Sequence, residues 1–343
     1  MNIENFSTSG LNEHQMKQIQ ADVQHERAVQ EGRPLSATIM GTTGVGKSSL
    51  FNALFGTDLA TGDVRPVTKV PEPVSVVGIS GHSMIFWDMP GIGESGSADT
   101  RYLKMYQKKL IESDIVIWAI HADNRSTTYD QLCLGKMLNA VAPSQQLSLM
   151  SKLTFVLTKA DILTPPPWVF DMHGETGSFA PSGRLAARLE EKSAYYESVF
   201  LEPWHDLLTS STYNHAQFDV ADSRLSFDEY TVRYHGHFTQ TVCDKYSARY
   251  PAHAEIFSRL RDNHRVLPCS ALFRFNLLPL MVTVVNKLGP GAVFRFQRLL
   301  DDIDRVTDVP VDAVRGYGNF VIWDAKRGRK AFDLQNLSLK AAR

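Results

Sequence analysis

The eight residues from 41 to 48, GTTGVGKS, constrain the fold of this chain more than any other feature. They match the pattern GxxxxGK[ST], whose glycines let successive backbone N–H groups point at phosphate oxygens. This chemistry needs a strand before the loop and a helix after it. The apolar run from Leu35 to Met40 predicts the strand, and Ser48 to Phe55 predicts the helix. We therefore expect a phosphate-binding loop at these residues.

Every position of this loop is a candidate contact for a nucleotide. Lys47 places a point charge between the β and γ phosphates, and the Ser48 hydroxyl is suited to bind magnesium. A helix that begins at Lys47 also directs the positive end of its dipole at the phosphates. The nucleotide-binding residues predicted here are Gly41, Thr42, Thr43, Gly44, Val45, Gly46, Lys47, Ser48 and Ser49.

Downstream of the loop, apolar runs alternate with helical patterns. A turn at residues 80–82 separates two strand-like runs, which predicts an antiparallel hairpin. Further strands are expected at 115–120, 153–157 and 266–269, and helices at 99–113, 129–139, 184–200 and 275–288. This alternation predicts an α/β fold of the P-loop NTPase type: a three-layer sandwich whose sheet is mostly parallel, with one antiparallel hairpin strand.

The composition changes between residues 201 and 264, which are rich in aromatic residues and hold six of the eleven histidines. We expect these aromatic residues to form a small core and the stretch to be an inserted, mainly helical subdomain. The predicted domains are an N-terminal helix within 1–34, a nucleotide-binding domain of 35–200 with 265–288, the insert 201–264, and a C-terminal extension 289–343.

Two motifs indicate which base the site takes. Thr158-Lys159-Ala160-Asp161 follows a predicted strand and matches [NT]KxD, in which the carboxylate accepts hydrogen bonds from the guanine N1–H and exocyclic amine. Adenine cannot supply that pair of donors, so Asp161 disfavours ATP. Ser270-Ala271-Leu272 matches a short element whose backbone N–H contacts the guanine O6. Thr158 replaces a commoner asparagine, so it lacks an amide that can brace the phosphate loop.

A third motif, Asp88-Met89-Pro90-Gly91, ends the second hairpin strand. Asp88 is placed to hold magnesium through water, and the Gly91 N–H to sense the γ phosphate. Because the carboxyl ends of parallel strands form the ligand-binding edge of such a sheet, these motifs are expected to converge there.

Together these residues resemble the translation-factor-class GTPases, most closely the Era-like group, over 35–164 and 265–288. The stretches DMPGIGESGSADTRY and DIVIWAIHADNR are also similar to a bacterial family labelled ribosome-binding GTPases. The resemblance implies GTP or GDP with Mg²⁺ as cofactors. It implies that Thr68, with Thr61 as a rival, closes over magnesium and the γ phosphate. Ser48, Thr68 and Asp88 are then the metal site, and Lys47, Thr68 and Gly91 the catalytic residues.

The expected hydrolysis is slow. Ras-like GTPases place a water-orienting glutamine after DxxG, but Ile92 stands there, and Gly44 replaces the asparagine of potassium-stimulated relatives. Glu94, Ser95, Asp99 or a partner's group remain as candidates. The preferred hypothesis is a GTP-hydrolysing switch that acts on an unknown protein or the ribosome and is stimulated by that partner or by homodimerisation. Two alternatives stay open: a GTP-binding scaffold without hydrolysis, and a self-assembling septin- or dynamin-like GTPase.

Composition limits the rest. The formal net charge of -1 gives no global reason to expect nucleic acid or an anionic membrane, and the basic C-terminal end is a weak pointer to ribosomal RNA. The three cysteines lie far apart and form no CxxC pair, which favours a reducing, cytoplasmic location. No apolar run is long enough to predict a membrane span.

Overall fold

The structure, a computed structural model, describes residues 34–56, 72–77, 83–89, 105–124, 126–163, 168–214, 217–228, 231–288, 307–314, 320–324 and 329–333. The predicted N-terminal helix lies outside these residues.

The strands near the start of the chain match the predicted strands closely, whereas several of the later strands were not predicted. Their bounds are β1 Leu35–Met40, β2 Glu72–Val77, β3 Ser83–Asp88, β4 Ile115–His121, β5 Leu153–Thr158, β6 Trp168–His173, β7 Thr176–Pro181, β8 Thr209–Tyr213, β9 Leu225–Asp228, β10 Thr231–His235, β11 Leu267–Pro268, β12 Val309–Pro310, β13 Phe320–Asp324 and β14 Arg329–Asp333.

The helices alternate with these strands in the first part of the chain. They are α1 Lys47–Phe55, α2 105–112, α3 Thr128–Asn139, α4 Pro143–Lys152, α5 Gly183–Phe200, α6 Gln240–Arg249, α7 Ala254–Asp262, α8 Leu277–Lys287 and the short α9 Val311–Val314. Helix α4 was not predicted from the sequence; Pro143 begins it at a position where proline costs no hydrogen bond.

The central sheet has the strand order β11-β5-β4-β1-β3-β2. All neighbouring pairs are parallel except β2 with β3, which form the predicted antiparallel hairpin. Strand β4 shows why the sheet is covered on both faces. Val116, Trp118 and Ile120 pack with helices α3 to α5, whereas Ile117 and its neighbours on the other face pack with α1 and α8. The predicted three-layer α/β sandwich is confirmed.

The insert differs from the expectation in one respect. It contains a three-stranded antiparallel sheet, β8-β10-β9, beside α6 and α7, so it is mixed rather than mainly helical. Its aromatic residues do form a core, in which Tyr234, Phe238 and Phe257 are buried. The insert is anchored to the nucleotide-binding domain by a buried ion pair in which Arg261 Nη2 lies 2.7 Å from Glu197 Oε2.

A second sheet was not predicted. The hairpin β6–β7 follows the triple proline, and strands from the C-terminal extension complete it in the order β12-β7-β6-β13-β14. It could not be predicted because β13 pairs with β6 in parallel across about 150 residues of chain, and such long-range pairing leaves no local pattern.

Two further findings concern the predicted environment of the chain. Within the described residues, no helix is both long enough and apolar enough to cross a bilayer. Cys133, Cys243 and Cys269 are all buried and form no disulfide.

Candidate functional site

The phosphate loop leaves the end of β1 and runs into α1 with a backbone that requires glycine. Gly41, Gly44 and Gly46 all have positive φ, at 142°, 77° and 93°. Gly41 also passes close to the central strand: a Cβ there would lie 2.2 Å from the Ala119 carbonyl oxygen, whereas a Cβ on Gly44 would meet no heavy atom within 4 Å. The loop is therefore pressed against the sheet at Gly41 and open at Gly44, as a cradle for phosphate requires.

Lys47 begins α1 with its side chain folded back over the loop. Its Nζ donates hydrogen bonds to the carbonyl oxygens of Gly41 and Thr42, both at 3.2 Å. These acceptors hold the ammonium group above the loop, where it can exchange neutral carbonyls for phosphate oxygens. Such a bond to a charged acceptor is stronger than one to a neutral carbonyl.

Thr158 corrects one sequence-based expectation, because it does brace the phosphate loop. Its hydroxyl Oγ1 lies 2.5 Å from the Val45 carbonyl oxygen and 3.1 Å from that of Ile120. The hydroxyl carries one proton, so it donates to one carbonyl at a time. The Thr158 hydroxyl thus connects to the phosphate loop although the amide of an asparagine is absent.

Lys159 adds a second connection between the base motif and the phosphate loop. Its backbone is left-handed, with φ 56°, and its aliphatic stem lies against the loop: a Cβ built on Gly46 would be 3.5 Å from Lys159 Cε. A Cβ at residue 46 would therefore make van der Waals contact with this stem. The [NT]KxD motif and the phosphate loop form one packed unit.

The Thr158 brace yields a direct prediction. Thr158→Val keeps the shape of this fully buried side chain but removes the donor, leaving the Val45 carbonyl unsatisfied. We expect the free energy of unfolding to fall by about 1–3 kcal/mol. Thr158→Ser retains the hydroxyl and is the matched control. Urea unfolding of the three proteins measures the effect, and a Thr158→Val variant as stable as the wild-type protein would contradict the assigned brace.

The two base motifs are joined across 109 positions of sequence. Ser270 Oγ donates to Asp161 Oδ1 at 2.6 Å and itself accepts a hydrogen bond from the Phe273 N–H at 3.0 Å. The backbone supports the same junction, since the Ala160 N–H donates to the Cys269 carbonyl at 3.0 Å. Ser270 is fully buried, so its hydroxyl fixes the direction of the Asp161 carboxylate.

His121, at the end of β4, belongs to this cluster but was not among the predicted site residues. Its pKa is lowered below the ordinary value by burial and then by the nearby positive charge of Lys159, while Asp123 and Asp161 oppose that shift. Its Nδ1 accepts a hydrogen bond from the Asp123 N–H at 3.2 Å, which requires this nitrogen to carry no proton. Its position at the end of a buried strand was the available signal.

Side chains of helix α5 donate hydrogen bonds to the backbone of the loop after β4. Lys192 Nζ donates to the Ala122 carbonyl at 2.8 Å, and the Tyr196 hydroxyl donates to the Asn124 carbonyl at the same distance. Neither residue was predicted, because contacts to backbone carbonyls leave no recognisable motif in a sequence.

The structure places most of the predicted site residues at one edge of the central sheet. The phosphate loop follows β1, the Thr158 motif follows β5, and Ser270, Ala271 and Leu272 follow β11. Asp88 ends β3, beside Ile39 of β1, so its backbone lies at the same edge. Thr68 and Gly91, with the rival Thr61 and the candidates of the following loop, lie outside the described residues.

Comparison with known proteins finds relatives for one segment of the chain. Residues 36–152 match the family model described as 50S ribosome-binding GTPase. The uncharacterized protein YkfA of Escherichia coli (strain K12) is 37% identical over 132 residues, which are 37% of this chain and 42% of that protein. GTPase Era of Geotalea daltonii is 23% identical over 143 residues, covering 41% of this chain and 45% of Era.

Among solved structures, Toc33 from Arabidopsis thaliana in complex with GDP and Mg²⁺ aligns with 87% of this chain and 95% of its own, at 15% identity and a TM-score of 0.39.

The chain spans less than half the length of the curated relatives named above. The segment that matches the family model holds the phosphate loop and the strands β1 to β4. Over residues 36–152 the chain is therefore similar to the P-loop GTPase domain of the Era group.

Proposed function

We propose that this protein binds guanine nucleotides with magnesium at the sheet edge described above and hydrolyses GTP slowly, as a switch on a partner. The observation that carries this proposal is the 2.6 Å hydrogen bond between Ser270 and Asp161. This bond fixes the direction of the Asp161 carboxylate. The motif that contains Asp161 also contacts the phosphate loop, because the Thr158 hydroxyl forms a hydrogen bond with the Val45 carbonyl oxygen. Recognition of the base and of the phosphates is therefore built as one rigid unit.

The residues present fit a nucleotide and its metal ion. The positive φ angles of the loop glycines suit a backbone that directs N–H groups at phosphate oxygens, and the Lys47 ammonium lies over the loop. Ser48, in the first turn of α1, would supply a hydroxyl ligand to magnesium, with Asp88 and Thr68 as the further proposed ligands. A bound magnesium ion supplies charge neutralisation at the β and γ phosphates.

The proposed roles of the protein groups in hydrolysis combine the position of Lys47 with the sequence around Thr68 and Gly91. Lys47 stabilises charge that develops on the phosphates, and the backbone N–H groups of the loop hold their oxygens in fixed directions. Thr68 and Gly91 are proposed to close over the γ phosphate. Ile92 can neither donate nor accept a hydrogen bond through its side chain, so it cannot orient the attacking water. Slow turnover is the expected consequence.

The first test is a competition assay with a fluorescent guanine nucleotide and magnesium. We expect GTP and GDP to compete, and ATP to compete at least ~100-fold more weakly, because adenine leaves the Asp161 carboxylate without its paired donors. The protein with Lys47→Ala is the control for specific binding and should lose competition by all three nucleotides. Equal competition by ATP and GTP would refute guanine recognition by this site.

The partner and the rate are tested by following phosphate release in the same mixture. We expect slow release from the isolated protein. The ribosome is the first proposed partner because the matching family model is described as 50S ribosome-binding GTPase. Faster release on addition of large ribosomal subunits would support it, whereas stimulation by protein concentration alone would favour the homodimer. Absence of any release would support a binding scaffold.

A further inference from the structure

The loop that follows β11 adopts a backbone that its own residues disfavour. Ser270 and Phe275 close it by exchanging two backbone hydrogen bonds, at 3.1 and 3.0 Å. Within and just after this turn, Arg274 and Asn276 have positive φ, at 50° and 56°. Asparagine tolerates this region well, but an arginine rarely adopts it. Some other contact must therefore hold Arg274 in place.

That contact comes from the C-terminal extension. The Arg274 guanidinium donates a hydrogen bond through Nη1 to the carbonyl oxygen of Asp308, 34 positions later. Asp308 is held in turn, because its Oδ2 accepts a hydrogen bond from Thr176 Oγ1 at 3.3 Å. The next residue, Val309, is buried and pairs with Gly177 as the strand β12. Arg274 thus grips a segment that is fixed to the second sheet.

The aromatic neighbours of Arg274 show that the loop and the second sheet are one packed body. Phe273 stacks on Phe179 of β7 with ring centroids 3.9 Å apart, and Phe275 meets Trp168 of β6 edge-on at 4.8 Å. These rings flank Arg274 on both sides in sequence. The stacking contact buries Phe273, whereas the Arg274 bond fixes the backbone between the two rings.

The same loop carries the group that orients base recognition. Ser270 lies four positions before Arg274, and its hydroxyl both donates to Asp161 and accepts from the Phe273 N–H. A displacement of the turn at Arg274 would move the Phe273 N–H and with it the hydroxyl that aims the carboxylate. The chain of contacts runs from Asp308 to Asp161 without a gap.

We propose that Arg274 is a positioning residue for guanine recognition, and that through it the base site depends on the docked C-terminal segment 307–314. This inference rests on the proposed guanine-nucleotide site. By thermodynamic linkage the dependence is reciprocal, so a bound guanine nucleotide tightens the docking of this segment on β7. The second sheet thereby becomes a means by which the nucleotide site and the C-terminal extension influence each other.

The test measures the affinities for GDP and ADP of the full chain and four variants: Arg274→Gly, Arg274→Lys, Thr176→Val, and the double change Arg274→Gly with Thr176→Val. Glycine adopts the φ of residue 274 without strain, so Arg274→Gly removes the hydrogen bond to Asp308 without distorting the turn. We expect it to weaken GDP binding about fivefold to tenfold and to leave ADP binding unchanged, since ADP relies on the phosphate loop. Arg274→Lys keeps a charged donor and should recover part of the loss.

Thr176→Val removes the hydrogen bond that anchors Asp308, and a loss of about twofold to threefold in GDP affinity is expected. In the Arg274→Gly background the same change should have no effect, because the grip it supports is gone. Full GDP affinity of Arg274→Gly, or additive losses in the double variant, would overturn the inference. Should Arg274→Gly not fold, an unchanged ratio of GDP to ADP affinity in Arg274→Lys and Thr176→Val would overturn it. A wild-type protein without preference for GDP would refute the proposed function, and this inference with it.

Discussion

Asp161→Asn is expected to lower the affinity for GDP by at least ~100-fold while leaving the protein folded. The carboxylate accepts from both the guanine N1–H and the exocyclic amine. An asparagine amide offers one acceptor and one donor, so its NH₂ would face the guanine amine, and two donors would oppose each other. The asparagine oxygen can still accept the Ser270 hydrogen bond that now ends on Asp161 Oδ1, so the loop is retained.

The same substitution has an opposite effect on a nucleotide with xanthine as its base. Xanthine carries a carbonyl oxygen where guanine carries the amine, and the asparagine NH₂ can donate to it. We therefore expect Asp161→Asn to bind xanthosine diphosphate more tightly than GDP, which reverses the order expected for the wild-type protein. Competition titrations with the two diphosphates measure this reversal directly, and the thermal unfolding midpoint reports on folding.

Asp123→Asn is the matched control for this prediction. It makes the same chemical change in an exposed carboxylate of the loop after β4, close to His121 but outside both base motifs. Its affinities for the two diphosphates should stay within about twofold of the wild-type values, as expected for an exposed charge. If both variants lost GDP affinity equally, a general electrostatic effect would replace base recognition as the explanation.

The sequence predicts the part of the site that is made of contiguous residues. The strand, loop and helix from 35 to 55 could be predicted because the glycines of the phosphate loop mark a backbone with positive φ, which few other residues adopt. The [NT]KxD motif could also be predicted, because all its residues are adjacent in the sequence. The order of the motifs then placed them at one sheet edge through the rules of parallel sheets.

The contacts that join distant segments could not be predicted in this way. Ser270 and Asp161 were each assigned to the base, but the bond between their side chains depends on how β11 lies beside β5. Arg274 was not singled out, because its partner is a backbone carbonyl, which any residue supplies. The sequence predicts only that Thr158 lacks an amide. It does not reveal that the Thr158 hydroxyl lies 2.5 Å from the Val45 carbonyl oxygen.

Gly41→Ala is expected to lower the free energy of unfolding by about 2–4 kcal/mol, measured by urea denaturation without nucleotide. The new Cβ would lie 2.2 Å from the Ala119 carbonyl oxygen, so either the loop or the buried strand β4 must move. Gly44→Ala is the matched control, because its φ is also positive but its Cβ would enter open space. It should cost only the strain of that φ, about 1 kcal/mol. Equal losses in the two variants would show that backbone conformation alone requires glycine in this loop. A larger loss for Gly41→Ala would mean that the close approach of Gly41 to β4 fixes the phosphate loop on the sheet.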